Sequence, residues 1–148
     1  MSALIALAGA AFGTFQAMER YRKTSHGANP WTAEGFTNAL LYSSYYERFL
    51  ALIEDTDGQP NSCFRSPSVN AAAGGVPTSR HMKALACDGL PKRLSLGAAQ
   101  DVVFAAAKRG ELGPVKRVTL EPARKIIHVE WWGPGEAALP PEKAEWNG

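Results

Sequence analysis

The chain has 148 residues, 45% hydrophobic and 20% charged, with a formal net charge of +2. That length fits one domain, and a domain of this size buries roughly 68–70% of its unfolded surface, enough for a core without staples. The small net charge and scattered basic residues give no nucleic-acid or acidic-membrane footprint, and two cysteines, Cys63 and Cys87, are too few for a disulfide scaffold.

In chain order, Ala3 to Phe15 is an apolar run of small residues followed by Glu19, Arg20, Arg22 and Lys23. It is shorter than the ~20 residues that span a bilayer. It also lacks the basic start of a signal peptide, although Ala8-Gly9-Ala10 is weakly cleavage-like. The reading is a helix over 1–23 that packs or docks a membrane or virion partner. A weak export or anchoring segment stays open, as does disorder. Positive charge after the run argues against simple export.

Residues 24–36, with Gly27, Pro30 and Gly35, read as a loop. Leu41, Tyr45, Phe49, Leu52 and Ile53 recur at helical spacing, which predicts a helix over 37–54 with Thr37 as its cap and this stripe in the core. Residues 61–65 form a short strand candidate. Ala71 to Gly75 reads as a helical turn stopped by two glycines, and 81–88 as entering a second strand.

Ser95 to Arg109 is a well-marked helix followed by Gly110. Val115–Leu120 and Lys125–Trp132 are two strands joined by a hairpin at Glu121-Pro122-Ala123-Arg124. The tail from Gly133 is Pro-rich and aperiodic, and is expected on the surface or mobile, with Trp146 able to dock. Irregular alternation of helices and strands predicts an α+β domain, a small antiparallel sheet flanked by helices.

Of three histidines, two sit where zinc chemistry could use them. Zinc takes imidazole nitrogen and carboxylate oxygen, and catalytic sites keep three protein ligands plus one water. His81 and Asp88 are seven apart, a spacing that a loop entering a strand can close onto one ion. His128, inside Ile126-Ile127-His128-Val129-Glu130-Trp131, can be presented from a neighbouring strand. Spacing alone is weak evidence, because a histidine among Ile and Val is more often a half-buried structural residue.

The surrounding words are more specific. Ser62-Cys63-Phe64-Arg65-Ser66-Pro67-Ser68-Val69-Asn70, then Gly74-Gly75-Val76-Pro77-Thr78-Ser79-Arg80-His81, then Ala86-Cys87-Asp88 follow in order. Together with the downstream strand they resemble the zinc D-alanyl-D-alanine carboxypeptidase family. That family includes phage L-alanyl-D-glutamate endopeptidases and vancomycin-resistance D,D-dipeptidases, and it shares its fold with the hedgehog signalling domain. The resemblance spans about residues 35–135, between an N-terminal segment, 1–34, and the tail, 136–148.

The resemblance implies a Zn2+ cofactor held by His81, Asp88 and His128, with Arg65 binding a substrate carboxylate or polarising the scissile carbonyl. It implies that Ser79 contacts substrate and Asn70 fixes a loop. The expected substrate is a peptidoglycan peptide, and the expected setting is periplasm, cell wall or virion, as for a phage lysis or entry enzyme. Many relatives carry an acid three residues before the last ligand, but here that residue is Lys125. Glu130 is the replacement expected, because residues two apart on a strand share a face with His128. Glu121 is the second candidate. The missing acid keeps open a non-catalytic, zinc-stabilised binding or virion structural role. Strand parity places Cys63 with Arg65 and Cys87 opposite Asp88, which argues against a Cys63–Cys87 disulfide and leaves Cys63 as a possible soft ligand.

Overall fold

A computed structural model describes residues 18–55 and 63–147. The expected helix over 1–23 therefore lies outside the described residues apart from its end, where Glu19–Arg22 form a 3-10 turn. Met18 and Tyr21 on that turn are buried in the core.

Helix α1 runs Ala33–Leu52 and starts four residues before the expected site. Its cap is Thr32, whose hydroxyl accepts the Gly35 N–H at 3.0 Å. Gly35 reads as a breaker in sequence, but it lies inside the helix, where the Phe64 ring takes the space of a side chain. A Cβ there would meet Phe64 Cε1 at 2.4 Å. Gly35→Ala should therefore destabilise the fold by about 1–3 kcal/mol, even though helix propensity alone favours Ala by about 1 kcal/mol. Chemical denaturation reads the sign.

The buried stripe of α1 is Ala39, Tyr42, Tyr46, Phe49 and Leu50 rather than one built on Leu41, which is 59% exposed. Tyrosines can be buried here because their hydroxyls are satisfied. Tyr42 donates to the Trp132 carbonyl at 2.7 Å, and Tyr46 donates to the Ala84 carbonyl.

Pro67–Ala72 form the short helix α2, capped by the Ser66 hydroxyl. Leu96–Lys108 form α3, inside the helix expected over 95–109, with Ser95 as its cap. The sheet has four strands: β1 (Ala86–Gly89), β2 (Val115–Glu121), β3 (Ile126–Trp131) and β4 (Glu142–Glu145). Their order is β1-β3-β2-β4.

The first three strands are antiparallel. The tail adds β4 parallel to β2, which makes the sheet mixed. Pattern reading missed β4 because Glu142–Glu145 has no apolar period, as suits an exposed edge. Gln100 of α3 helps hold it, donating to the carbonyls of Val118 (3.2 Å) and Ala144 (2.6 Å). Trp146 is 53% exposed and is tied to the sheet through its backbone. Its N–H donates to Leu120 O.

Register divides the sheet into two faces. Cys87, Val129 and Val118 are cross-strand neighbours on one face and are fully buried. Trp131 shares their parity and is buried against Tyr46 and Phe49. Asp88, His128 and Thr119 form one row of the other face, flanked by the rows Ala86–Glu130–Arg117 and Glu121–Ile126. The core thus lies on one side of the sheet and a polar cluster on the other.

Candidate metal centre

Asp88 and His128 face each other across the β1–β3 ladder, so the antiparallel register alone brings them together. His81 comes from a 3-10 turn, Arg80–Lys83, and not from the strand expected there. The Ser79 hydroxyl accepts the His81 N–H at 3.2 Å, and Ala84 ends the turn in the left-handed region. Three further bonds fix the turn. The His81 carbonyl accepts the Arg65 N–H at 3.0 Å. Arg80 donates from Nε and Nη2 to the Trp131 carbonyl at 3.0 and 2.5 Å.

Asp88 Oδ1 lies 2.7 Å from His128 Nδ1 and 3.4 Å from His81 Nε2. Ligand atoms of the three residues all fall within 4.8 Å of one another. Tetrahedral bonds of about 2.0–2.1 Å would set such atoms roughly 3.3 Å apart, so the separations fit a single ion. Among the described residues, neither buried ring nitrogen of His81 has a hydrogen-bond partner, a costly state that a bound cation at one of them would relieve. The donor set therefore fits a divalent metal. His26, the third histidine, is exposed and outside the cluster.

The family model described as peptidase M15 matches residues 46–119, half of the chain. The chain belongs to the peptidase M15 family. This agrees with the family whose motifs the sequence resembles. The match covers His81 and Asp88, while His128 lies beyond it and joins them through the sheet register. No curated protein and no solved structure matches.

M15 peptidases are metal dependent, and the charges of this cluster suit a cation. Burial pushes His81 below the ordinary histidine range, which leaves a neutral imidazole with a lone pair to give. Burial also opposes the charges on Asp88 and His128, but the pull of His81 and of the His128 hydrogen bond outweighs it at Asp88, and the hydrogen bond and charge of Asp88 outweigh it at His128. Asp88 is held well below the usual carboxylate range and His128 is raised.

The sign follows for pH. A raised folded-state value means that His128 favours the metal-free fold below about pH 6.5 and loses that contribution as pH rises through its folded value. Metal needs the unprotonated ring, so its contribution runs the other way. The increase in melting temperature on adding zinc should therefore shrink steadily between pH 7.5 and 5.5. A shift that stays constant over this range would contradict the assignment of His128.

The other residues singled out from sequence divide by position. Arg65 is buried, with Nη2 3.2 Å from Asp88 Oδ2, so the carboxylate shows one oxygen to the imidazoles and the other to a guanidinium. Ser79 stands at the entrance of the His81 turn. Asn70 fixes its loop, donating to the Val76 carbonyl at 2.9 Å, with Gly75 so close that a Cβ would meet its Oδ1 at 2.1 Å.

Glu130 and Glu121 flank His128 on the same face. Glu130 is held by Arg117 at 3.4 Å. Glu121 is buried and bonded to Arg124, whose Nη1 also lies 3.6 Å from Asp88 Oδ2. Burial and the charge of Asp88 push the Glu121 carboxyl up, against the pull of Arg124 and His128. Lys125 is an exposed turn residue with φ +57°.

Two further findings differ from the sequence reading. Cys63 and Cys87 form a disulfide, which also removes Cys63 as a ligand. The parity argument failed because residues 63–66 are not a strand, so alternation does not fix the direction of Cys63. Arg124 was missed as a site residue, since nothing in sequence shows that a hairpin turn folds its guanidinium back onto Asp88.

Proposed function

We propose that this M15 peptidase is zinc dependent and hydrolyses peptide bonds in bacterial peptidoglycan, in the setting of a phage lysis or entry enzyme. The observation that supports the reading best is the convergence of His81, Asp88 and His128 with Arg65 at their edge. Two imidazoles and a carboxylate also serve ferrous oxygenases, but hydrolysis calls for a redox-silent Lewis acid, which favours zinc. When bound, such an ion lowers the pKa of its water toward about 7 and polarises the carbonyl under attack.

The chain's own residues would supply the rest. Arg65 holds Asp88 Oδ2, and a guanidinium fork is the side chain suited to a substrate carbonyl or carboxylate. Ser79 accepts from the His81 N–H, which leaves its own O–H to give. A carboxylate must take the proton of the attacking water and return one to the leaving amine.

Glu130 is the residue expected from sequence for that task, and Glu121 is the one the environment supports. Glu121 is buried beside Arg124, and its raised carboxyl is closer to neutrality, as proton exchange near pH 7 requires. We assign the proton transfer to Glu121.

The second reading is a non-catalytic, zinc-stabilised binding or virion protein. It draws on Lys125 and on the ion pairs that engage both glutamates. The separating experiment incubates the zinc-loaded chain with purified cell-wall peptides. The peptidase reading expects new amino groups, and none after a chelator. Intact peptides with metal bound would favour the second reading.

A further inference from the structure

The disulfide joins two segments that each carry part of the metal centre. Cys87 on β1 turns into the core directly before Asp88, which faces the other way. Cys63 precedes Arg65 by two residues, in a stretch without helix or strand. The loop closed by the bond spans a separation of 24 residues and contains Arg65, Ser79 and His81. Backbone bonds complete the seat. The Cys63 and Phe64 N–H groups donate to Tyr21 O, and the Ser66 N–H donates to Asn29 Oδ1 at 2.7 Å. The Arg65 N–H donates to His81 O, while its guanidinium reaches Asp88.

We propose that the Cys63–Cys87 disulfide is a positioning element of the metal centre, so that full metal affinity requires the oxidised chain. It acts by fixing the Arg65 strap on β1, where Arg65 orients Asp88 Oδ2 and leaves Oδ1 to the metal. Outer partners of this kind hold ligand carboxylates in place and raise affinity. The inference rests on reading His81, Asp88 and His128 as metal ligands.

Closing the bond takes two electrons and two protons from the two thiols. Thiol–disulfide exchange passes them to a disulfide-bearing donor, which leaves as a dithiol. Both sulfurs are buried, so the bond forms during folding, and chains folded in a reducing compartment would carry the weaker site.

The test is a zinc titration against a chromophoric chelator, with circular dichroism to check folding. The oxidised chain is compared with the Cys63→Ala/Cys87→Ala pair, with Arg65→Gln, and with all three changes together. The alanine pair should bind zinc about 10–100-fold more weakly. Arg65→Gln should weaken binding too, and the triple variant should lose less than the product of the two effects, because they act through one contact. A purely structural bond would give independent losses.

Should the alanine pair fail to fold, the wild-type chain is refolded in a phosphine reductant and its two free thiols are counted before titration. Equal affinity of oxidised and dithiol forms overturns the proposal, as do fully independent losses. A chain that binds zinc as expected but cleaves no peptide overturns the peptidase reading alone. Absence of zinc binding in every form overturns both.

Discussion

His128→Ala is expected to lose metal binding and, with it, peptidase activity. Zinc affinity should fall by more than about 100-fold, beyond the 10–100-fold typical of outer partners, because a ligand itself is removed. His128 Nδ1 is also the closest partner of Asp88 Oδ1, at 2.7 Å. The metal-free variant should therefore lose about 1–3 kcal/mol as a buried carboxylate gives up a hydrogen bond. The added stabilisation that zinc gives the wild type, which grows with the ratio of zinc to its dissociation constant, should vanish. Metal analysis and paired thermal scans with and without zinc check both parts. A variant that kept one equivalent of tightly bound zinc would show that His128 is a half-buried structural histidine.

The second large effect is at the acid on the site face. Glu121→Gln should lower kcat about 10²–10⁴-fold, the usual worth of a general base. Its zinc content should not change, because no ligand is touched. The amide keeps the side chain's shape but cannot take a proton. Glu130→Gln should change kcat less than about tenfold. Its carboxylate sits beside Arg117 in the row on the other side of His128. The two variants should be assayed side by side on one peptide substrate with metal content measured. The reverse ranking would move the role to Glu130, and full activity in both would mean that neither residue handles the proton.

Much of the site was legible because its decisive geometry is local pattern plus register. The His-x6-Asp spacing was weak by itself, but the ordered words around Arg65, His81 and Asp88 singled out the three residues, and antiparallel pairing sets Asp88 opposite His128. Helix α3 was equally plain, with a serine cap, an apolar face and Gly110 at its end. The start of α1 was not. Gly35 looks like a breaker until Phe64, twenty-nine positions later in sequence, is seen to require it. Tyr42 and Tyr46 outrank Leu41 in the core only because distant carbonyls at Trp132 and Ala84 accept their hydroxyls. The Cys63–Cys87 bond and the reach of Arg124 to Asp88 depend on how an irregular strap and a hairpin turn are aimed. Those directions are set by tertiary contacts, and side-chain alternation carries no information about them.

The proposed site holds one divalent ion shared by three side chains on the polar face of the sheet. Anomalous diffraction at the zinc edge, from crystals of the chain grown with equimolar zinc, tests it most directly. A single strong peak within bonding distance of His81, Asp88 and His128 is expected. A peak elsewhere, or none on the site face at full zinc load, would contradict it.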